Sequence, residues 1–294
     1  MAERRLQGRT IFLSGGSRGI GLAIAKAAAA EGANVAIAAK TAEPHPKLPG
    51  TIHTAAAEIE AAGGQALPLL CDIRFEESVA EAVAATADRF GGIDIVVNNA
   101  SAISLTGTAA TDMKRYDLMT GINSRGTFLV TKTCLPHLLA SNHAHILTMS
   151  PPLDFSPKWF RNHTAYSLAK YGMSALSVGW AAEFESKIAV NCLWPRTTID
   201  TAAVRNLLGG EAVANASRTS EIMGDAAVAI LTKDTDFSGW FCLDDLVLAA
   251  EGVSDFTPYS VTPGAELQED FFVPSSAPEP ATAAGMVGWR APEL

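Results

Sequence analysis

Short apolar runs with β-propensity alternate with Ala-rich helical stretches along most of this chain. No other feature restricts the fold so tightly, because this alternation is the signature of a doubly wound parallel sheet. The strand candidates are Thr10–Ser14, Asn34–Ala39, Ala66–Leu70, Asp94–Asn98, Ala144–Met149, Ile188–Leu193 and Gly239–Leu243. Helices are expected over Gly19–Glu31, Thr51–Ala62, Glu76–Phe90, Asp112–Ala140, Ala165–Ser186 and Ser220–Leu231. The fourth to sixth strands are nearly unbroken apolar runs, as expected where helices cover both faces of a sheet. The expected architecture is therefore α/β, a Rossmann-type doubly wound sheet in a single domain with a C-terminal extension. With 294 residues, 48% apolar and 18% charged, the chain can bury such a core.

Some segments break the rhythm. Residues 41–50, Thr41-Ala-Glu-Pro-His-Pro-Lys-Leu-Pro-Gly50, form a proline-stiffened insertion between the second strand and its helix. Asp255–Phe272 reads as either an added edge hairpin or a lid. Residues 273–294 are rich in Pro and Ala, lack apolar periodicity, and read as a loose tail behind a domain spanning 1–272. A formal net charge of -9 argues against nucleic acid as a main partner. No apolar run is long enough to span a bilayer, and the first residues lack a secretory core. Cys71, Cys134, Cys192 and Cys242 are scattered without a C-x-x-C pair, which suits small buried residues in a reducing, cytoplasmic setting. The six histidines show no metal-ligating spacing, so no metal is expected.

The chemistry begins at Ser14-Gly15-Gly16-Ser17-Arg18-Gly19-Ile20-Gly21, which follows the first strand and opens the first helix. Glycines 15, 19 and 21 permit a tight turn and let backbone amides approach a pyrophosphate at the helix N-terminus. At the end of the second strand the chain reads Ala38-Ala39-Lys40, without the carboxylate that would accept a ribose 2′-hydroxyl. Lys40 and Arg18 instead favour a 2′-phosphate, hence NADP(H) over NAD(H). Later, Tyr166 and Lys170 stand four apart on one helix face, where a phenol and an ammonium can serve a single pocket.

Taken in order, these residues resemble the short-chain dehydrogenase/reductase family over about residues 8–250. The glycine turn matches its cofactor motif, Asp72 resembles its adenine-contacting aspartate, and Asn98-Asn99-Ala100 resembles the motif closing its fourth strand. Asn123 resembles its helix asparagine, and Tyr166-x-x-x-Lys170 its acid/base pair. Residues 38–48, 98–105, 150–153 and 165–174 resemble the hydroxysteroid dehydrogenase-like branch, whose members often carry a C-terminal sterol-carrier domain that this chain is expected to lack. The resemblance implies hydride transfer between a nicotinamide and a carbonyl or alcohol. Tyr166 is then the acid/base, Lys170 lowers its pKa and holds the nicotinamide ribose, and Asn123 anchors a water. The implied cofactor contacts are Gly15, Ser17, Arg18, Gly19, Ile20, Gly21, Lys40, Asp72, Asn99, Tyr166 and Lys170. The family assembles as homodimers or homotetramers through its long fifth and sixth helices.

One departure bears on catalysis. The serine that the family places after its fifth strand falls here on Pro151, with Ser150 one residue early. One step along a strand reverses a side chain, so Ser150 reaches the pocket only if the strand twists there. Arg196 stands where the family has glycine and is a candidate contact for an acidic substrate. Asp244-Asp245-Leu246 replaces an Asp-Gly-Gly. Leu153, Phe155, Trp159, Phe160, Leu207 and Leu208 suit an apolar or lipid-like substrate or a core beneath a loop. Two functions follow: an NADP(H)-dependent oxidoreductase of CH-OH/C=O groups, or an NADP(H)-binding sensor or scaffold of low activity.

Overall fold

The structure is a computed structural model that describes residues 4–46 and 48–291. Lys47 of the expected insertion and residues 292–294 of the expected tail lie outside these. An eight-stranded sheet runs in the order β3-β2-β1-β4-β5-β6-β7-β8. Its strands are β1 (Thr10–Ser14), β2 (Asn34–Ala39), β3 (Gln65–Leu70), β4 (Ile95–Asn98), β5 (His145–Thr148), β6 (Ala189–Trp194), β7 (Trp240–Leu243) and β8 (Gly288–Arg290). The first seven are parallel, while β8 pairs antiparallel with β7 through Phe241 and Trp289. The α/β doubly wound class is thus observed.

Side-chain alternation along the central strands builds a core on each face. Ile11, Leu13, Ile95 and Val97 pack to one side with Ile24, Ile222 and Ile230. Those helical residues come from α1 (Gly19–Ala30) and, near the end of the chain, the helix Glu221–Leu231. Phe12, Val96 and Ile146 face the other side and meet Val83, Val130, Leu138 and Trp180. These belong to α3 (Glu76–Phe90), α5 (Thr127–Ala140) and α6 (Thr164–Glu183). Helix α2 (Ile52–Ala61) starts from a reciprocal capping box between Thr51 and Thr54, which satisfies backbone donors at its N-terminus.

The expected helix over 112–140 is divided. Helix α4 (Met113–Thr120) leads into a π turn over Gly121–Gly126 before α5. Three short helices were not foreseen: α7 (Ala202–Leu207), α8 (Gly210–Asn215) and α10 (Asp244–Ala250), with α9 at Glu221–Leu231. The tail is not loose through its described part. Gly288–Arg290 closes the sheet as β8, and Ala283 and Val287 are buried. Strand β8 escaped notice because three residues on an edge carry too little pattern. Residues 255–272 form neither hairpin nor free lid: Thr197 bridges Glu269 and Arg218 bridges Ser260, tying the segment to the loops after β6.

Candidate functional site

The parallel strands all end at one rim of the sheet, and the sequence-predicted site residues gather there. Ser14 closes β1, and its hydroxyl accepts the Asn99 and Ala100 amides at 3.2 Å each. Asn99 returns the brace through Nδ2, which donates to the Ser14 and Gly15 carbonyls at 3.1 and 2.9 Å. Gly15 has a φ of +76°, and a Cβ there would lie 2.8 Å from Ala100 Cα. On Gly21 it would lie 2.5 Å from the Gly15 carbonyl. Only glycine leaves this backbone open to close approach. Helix α1 begins with neither a side-chain cap nor an acidic residue in its first turn, so its amides and positive dipole end suit a phosphate. Ser17 is buried within the turn and Ile20 faces the cavity described below. The cradle therefore fits the dinucleotide pyrophosphate that its sequence implies.

Beyond the cradle the charges are arranged less simply than the sequence suggests. Lys40 Nζ stands 3.6 Å from Asp72 Oδ2, and Arg74 makes a bidentate pair with the same carboxylate, its Nη2 at 2.5 Å. Arg74 holds the Asp72 carboxyl below its ordinary range, and Lys40 adds to the effect. Arg18 donates to the Pro49 and Gly50 carbonyls at 2.8 and 2.9 Å, so it holds the insertion against the glycine turn. Arg74 is thus a third cation beside this rim that sequence reasoning missed, although its place two residues after Asp72 was a usable signal.

A cavity of about 560 Å³ opens beside the cradle. Tyr166 and Lys170 of α6 share its wall with Met149, Trp159, Trp194 and Leu208. Of the other apolar wall candidates, Phe155 and Leu207 are exposed at the surface. Lys170 is buried, and its ammonium donates to the Met149 carbonyl at 2.8 Å and sits 5.1 Å from the Trp194 ring centroid. Burial lowers it to about 8, while Asp270 and Cys192 act in the opposite sense. Burial, and after it the Asp270 charge, push the Tyr166 phenol well above its ordinary range. The shift set by burial and Asp270 is thus opposite in direction to the lowering expected from Lys170.

Asn123 lies in the π turn and is fully buried. Its amide makes a two-way clasp with Ala102, accepting from the backbone amide at 2.8 Å and donating to the carbonyl at 3.0 Å. It therefore braces the loop after β4 and is set behind the cavity rather than in its wall. Ser150 is also buried, and its hydroxyl donates to Cys192 Sγ at 3.2 Å, into the sheet. Ser174 of α6 fixes the Pro151 carbonyl at 2.7 Å. The strand end does not twist to bring Ser150 into the pocket.

Arg196 is no substrate contact. Its guanidinium is nearly buried, with Nε 2.5 Å from Asp245 Oδ2 and Nη2 on the Pro278 carbonyl. Arg218 meets the same carboxylate at 3.2 Å. Asp244, fully buried beside it, accepts the Arg196 and Asp245 amides at 2.9 and 2.8 Å. Burial and the Asp245 charge push Asp244 up to about 7. The two aspartates are thus a folding clamp that welds the loop after β6 to α10. Asp270 and Phe272, which no motif announced, prove to border Tyr166.

Residues 9–211 match the short chain dehydrogenase family. The chain is 59% identical over 269 residues to hydroxysteroid dehydrogenase-like protein 2 of Danio rerio, covering 92% of this chain and 65% of that protein. Against the Homo sapiens protein of the same name, identity is 54%, with 92% and 64% covered. The chain thus spans just under two thirds of the length of these curated relatives. A solved short chain dehydrogenase of Mycobacterium thermoresistibile superposes with a TM-score of 0.88 at 54% identity, covering 94% of this chain and 99% of that one.

Proposed function

The chain belongs to the short-chain dehydrogenase family, and from that premise we propose that it moves a hydride between NADP(H) and an apolar or lipid-like carbonyl or alcohol. The observation that carries this is the convergence of Tyr166, Lys170 and the glycine cradle on one largely apolar cavity. The residues that would hold the dinucleotide are Gly15, Ser17, Gly19, Ile20, Gly21 and Asn99 at the pyrophosphate, with Arg18, Lys40, Asp72 and Arg74 toward the adenosine. When bound, the nicotinamide supplies or accepts the hydride at the substrate carbon. Tyr166 exchanges a proton with the substrate oxygen, and its burial keeps the phenol protonated at neutral pH, the form that reduction of a carbonyl needs. Lys170, ionised below about 8, recharges the tyrosine and holds ribose hydroxyls. Asn123 acts as a positioning residue through the Ala102 clasp. The excess of positive charge around Asp72 supports NADP(H) over NAD(H).

Exposed Phe128 and Leu139 on α5, with Leu168 on α6, support a homodimer or homotetramer. Among the described residues no helix is long and apolar enough to cross a membrane, and the four free, buried cysteines suit a cytoplasmic setting.

Titration with NADPH and NADH, followed by turnover across a panel of aliphatic and cyclic ketones, tests the reading. The expected result is tighter NADPH binding and turnover that Tyr166→Phe abolishes without loss of NADPH binding. A second reading, an NADP(H)-binding protein of low activity, is favoured by Ser150 facing Cys192 and by Pro151 offering neither hydroxyl nor amide hydrogen. Tight NADPH binding with no Tyr166-dependent turnover would select it.

A further inference from the structure

Residues 268–271 line the cavity, and they come from beyond the family match at 9–211. The strap is pinned at close intervals. Thr198 donates to the Gln268 carbonyl at 2.9 Å, and Asp270 donates to the Arg196 carbonyl at 2.9 Å. Trp194 Nε1 donates to the Phe271 carbonyl at 2.7 Å. Phe272 is fully buried against Tyr166, Trp194 and Trp159, with ring centroids 6.1, 6.0 and 5.6 Å away. This anchoring holds the half-buried Asp270 on the wall that Tyr166 and Lys170 share, close enough for its charge to act on both. Its Oδ1 accepts the Phe271 amide at 2.7 Å, and among the described residues Oδ2 takes no hydrogen bond.

The wall needs a second donor. A carbonyl oxygen that gains electron density during reduction is stabilised by two donors, and Tyr166 is one. Pro151 cannot be the other, and the Ser150 hydroxyl is spent on Cys192. We propose that Asp270, as the neutral carboxylic acid, donates through Oδ2 to the substrate oxygen beside Tyr166. This rests on the hydride-transfer reading above. In the reduction, the hydride from reduced nicotinamide forms the new C–H bond and the carbonyl π pair moves to oxygen. Tyr166 gives its proton to that oxygen, while Asp270 keeps its own and only shares it. Burial supports the neutral form, pushing Asp270 up to about 7 against the Phe271 amide and the Lys170 charge. The other titratable groups nearby are Tyr166, Glu269 beside it in the wall, and His163, whose ring packs 5.3 Å from Phe271. The Arg196 guanidinium is engaged by Asp245.

Ionised Asp270 accepts but cannot donate, and its charge opposes the developing negative oxygen. Ketone reduction with NADPH is therefore expected to fall as pH rises through about 7. Asp270→Asn, which donates at every pH and still accepts the Phe271 amide, should retain turnover within about tenfold and lose that limb. Asp270→Leu should lose about 10²–10³ in kcat, the cost of one donor, with NADPH affinity unchanged. Carbon-13 NMR of protein labelled at the aspartate carboxyl gives a readout independent of turnover. The resonance lost in Asp270→Asn should titrate near neutrality. An Asp270 carboxyl ionised throughout pH 5–8, or an Asp270→Leu variant as fast as the unmodified protein, overturns this inference alone. Absence of Tyr166-dependent turnover in the unmodified protein overturns the hydride-transfer reading and this inference with it.

Discussion

Truncating Arg196 to alanine would leave Asp245, a fully buried carboxylate, with Arg218 as its remaining cation in the pair network. A buried charge left without any partner costs about 3–5 kcal/mol, and the Arg218 pair keeps the loss here below that range. Urea unfolding of Arg196→Ala should show that loss while NADPH affinity is unchanged. Arg74→Ala should act the other way round. We expect a stability loss of no more than about 1 kcal/mol, as for a partly exposed ion pair, and about a tenfold loss of NADPH affinity with NADH binding nearly unchanged, measured by fluorescence titration. The two arginines illustrate what a sequence tells at this scale. Tyr166 and Lys170 were legible because four residues on a helix always share a face. Arg196 was misread because its partners, Asp245 and Pro278, lie in distant parts of the chain. Asp270 had no signal at all, since its neighbours on α6 are equally remote and its own segment lacks periodicity.

The segment around Phe272 behaves as an element although it is neither helix nor strand. Phe272 has a φ of +67°, a conformation that bulky residues avoid. Its complete burial among aromatic rings is what holds it there. Phe272→Ala is expected to cost about 3–5 kcal/mol, read by thermal unfolding, and to raise hydrogen exchange over 268–273 before the rest of the sheet. The seven parallel strands were all legible because each combines an apolar run with flanking helical pattern, and their ends differ by at most a residue or so from expectation. Pattern failed where packing decides the structure. The π turn inside 112–140 keeps helical residues throughout, and it exists where Asn123 must meet Ala102. Helices α7 and α8 are each only six residues long, below the length at which periodicity can be read.

Acid should weaken the whole molecule through a group outside the site. His145 opens β5 in the interior, its ring centroid 4.4 Å from that of His143. Burial, then the His143 charge, push it down to about 3, and Arg9 contributes in the same sense while the Lys233 backbone opposes. The folded state therefore keeps His145 neutral, whereas the unfolded chain protonates it near its ordinary value of about 6.5. Stability is unaffected by this group above that value and is lost as pH falls toward the folded value. The loss is at most about 1.4 kcal/mol per pH unit. Unfolding midpoints measured from pH 7 to 4 should decline less steeply in His145→Leu than in the unmodified protein.

The strand order has a further consequence for how the molecule is made. Each strand after the first pairs with one that precedes it in the chain: β2 on β1, β3 on β2, β4 back on β1, then β5 to β8 outward in turn. No strand must be threaded between two others already joined, so the sheet can widen on the ribosome as fast as its residues emerge. The glycine cradle is among the earliest parts to be synthesised, and the strap carrying Asp270 and Phe272 is among the last. A nascent chain halted before residue 268 would carry the turn for a pyrophosphate yet lack one side of the cavity, so synthesis itself withholds a finished site until the sheet that supports it is almost built.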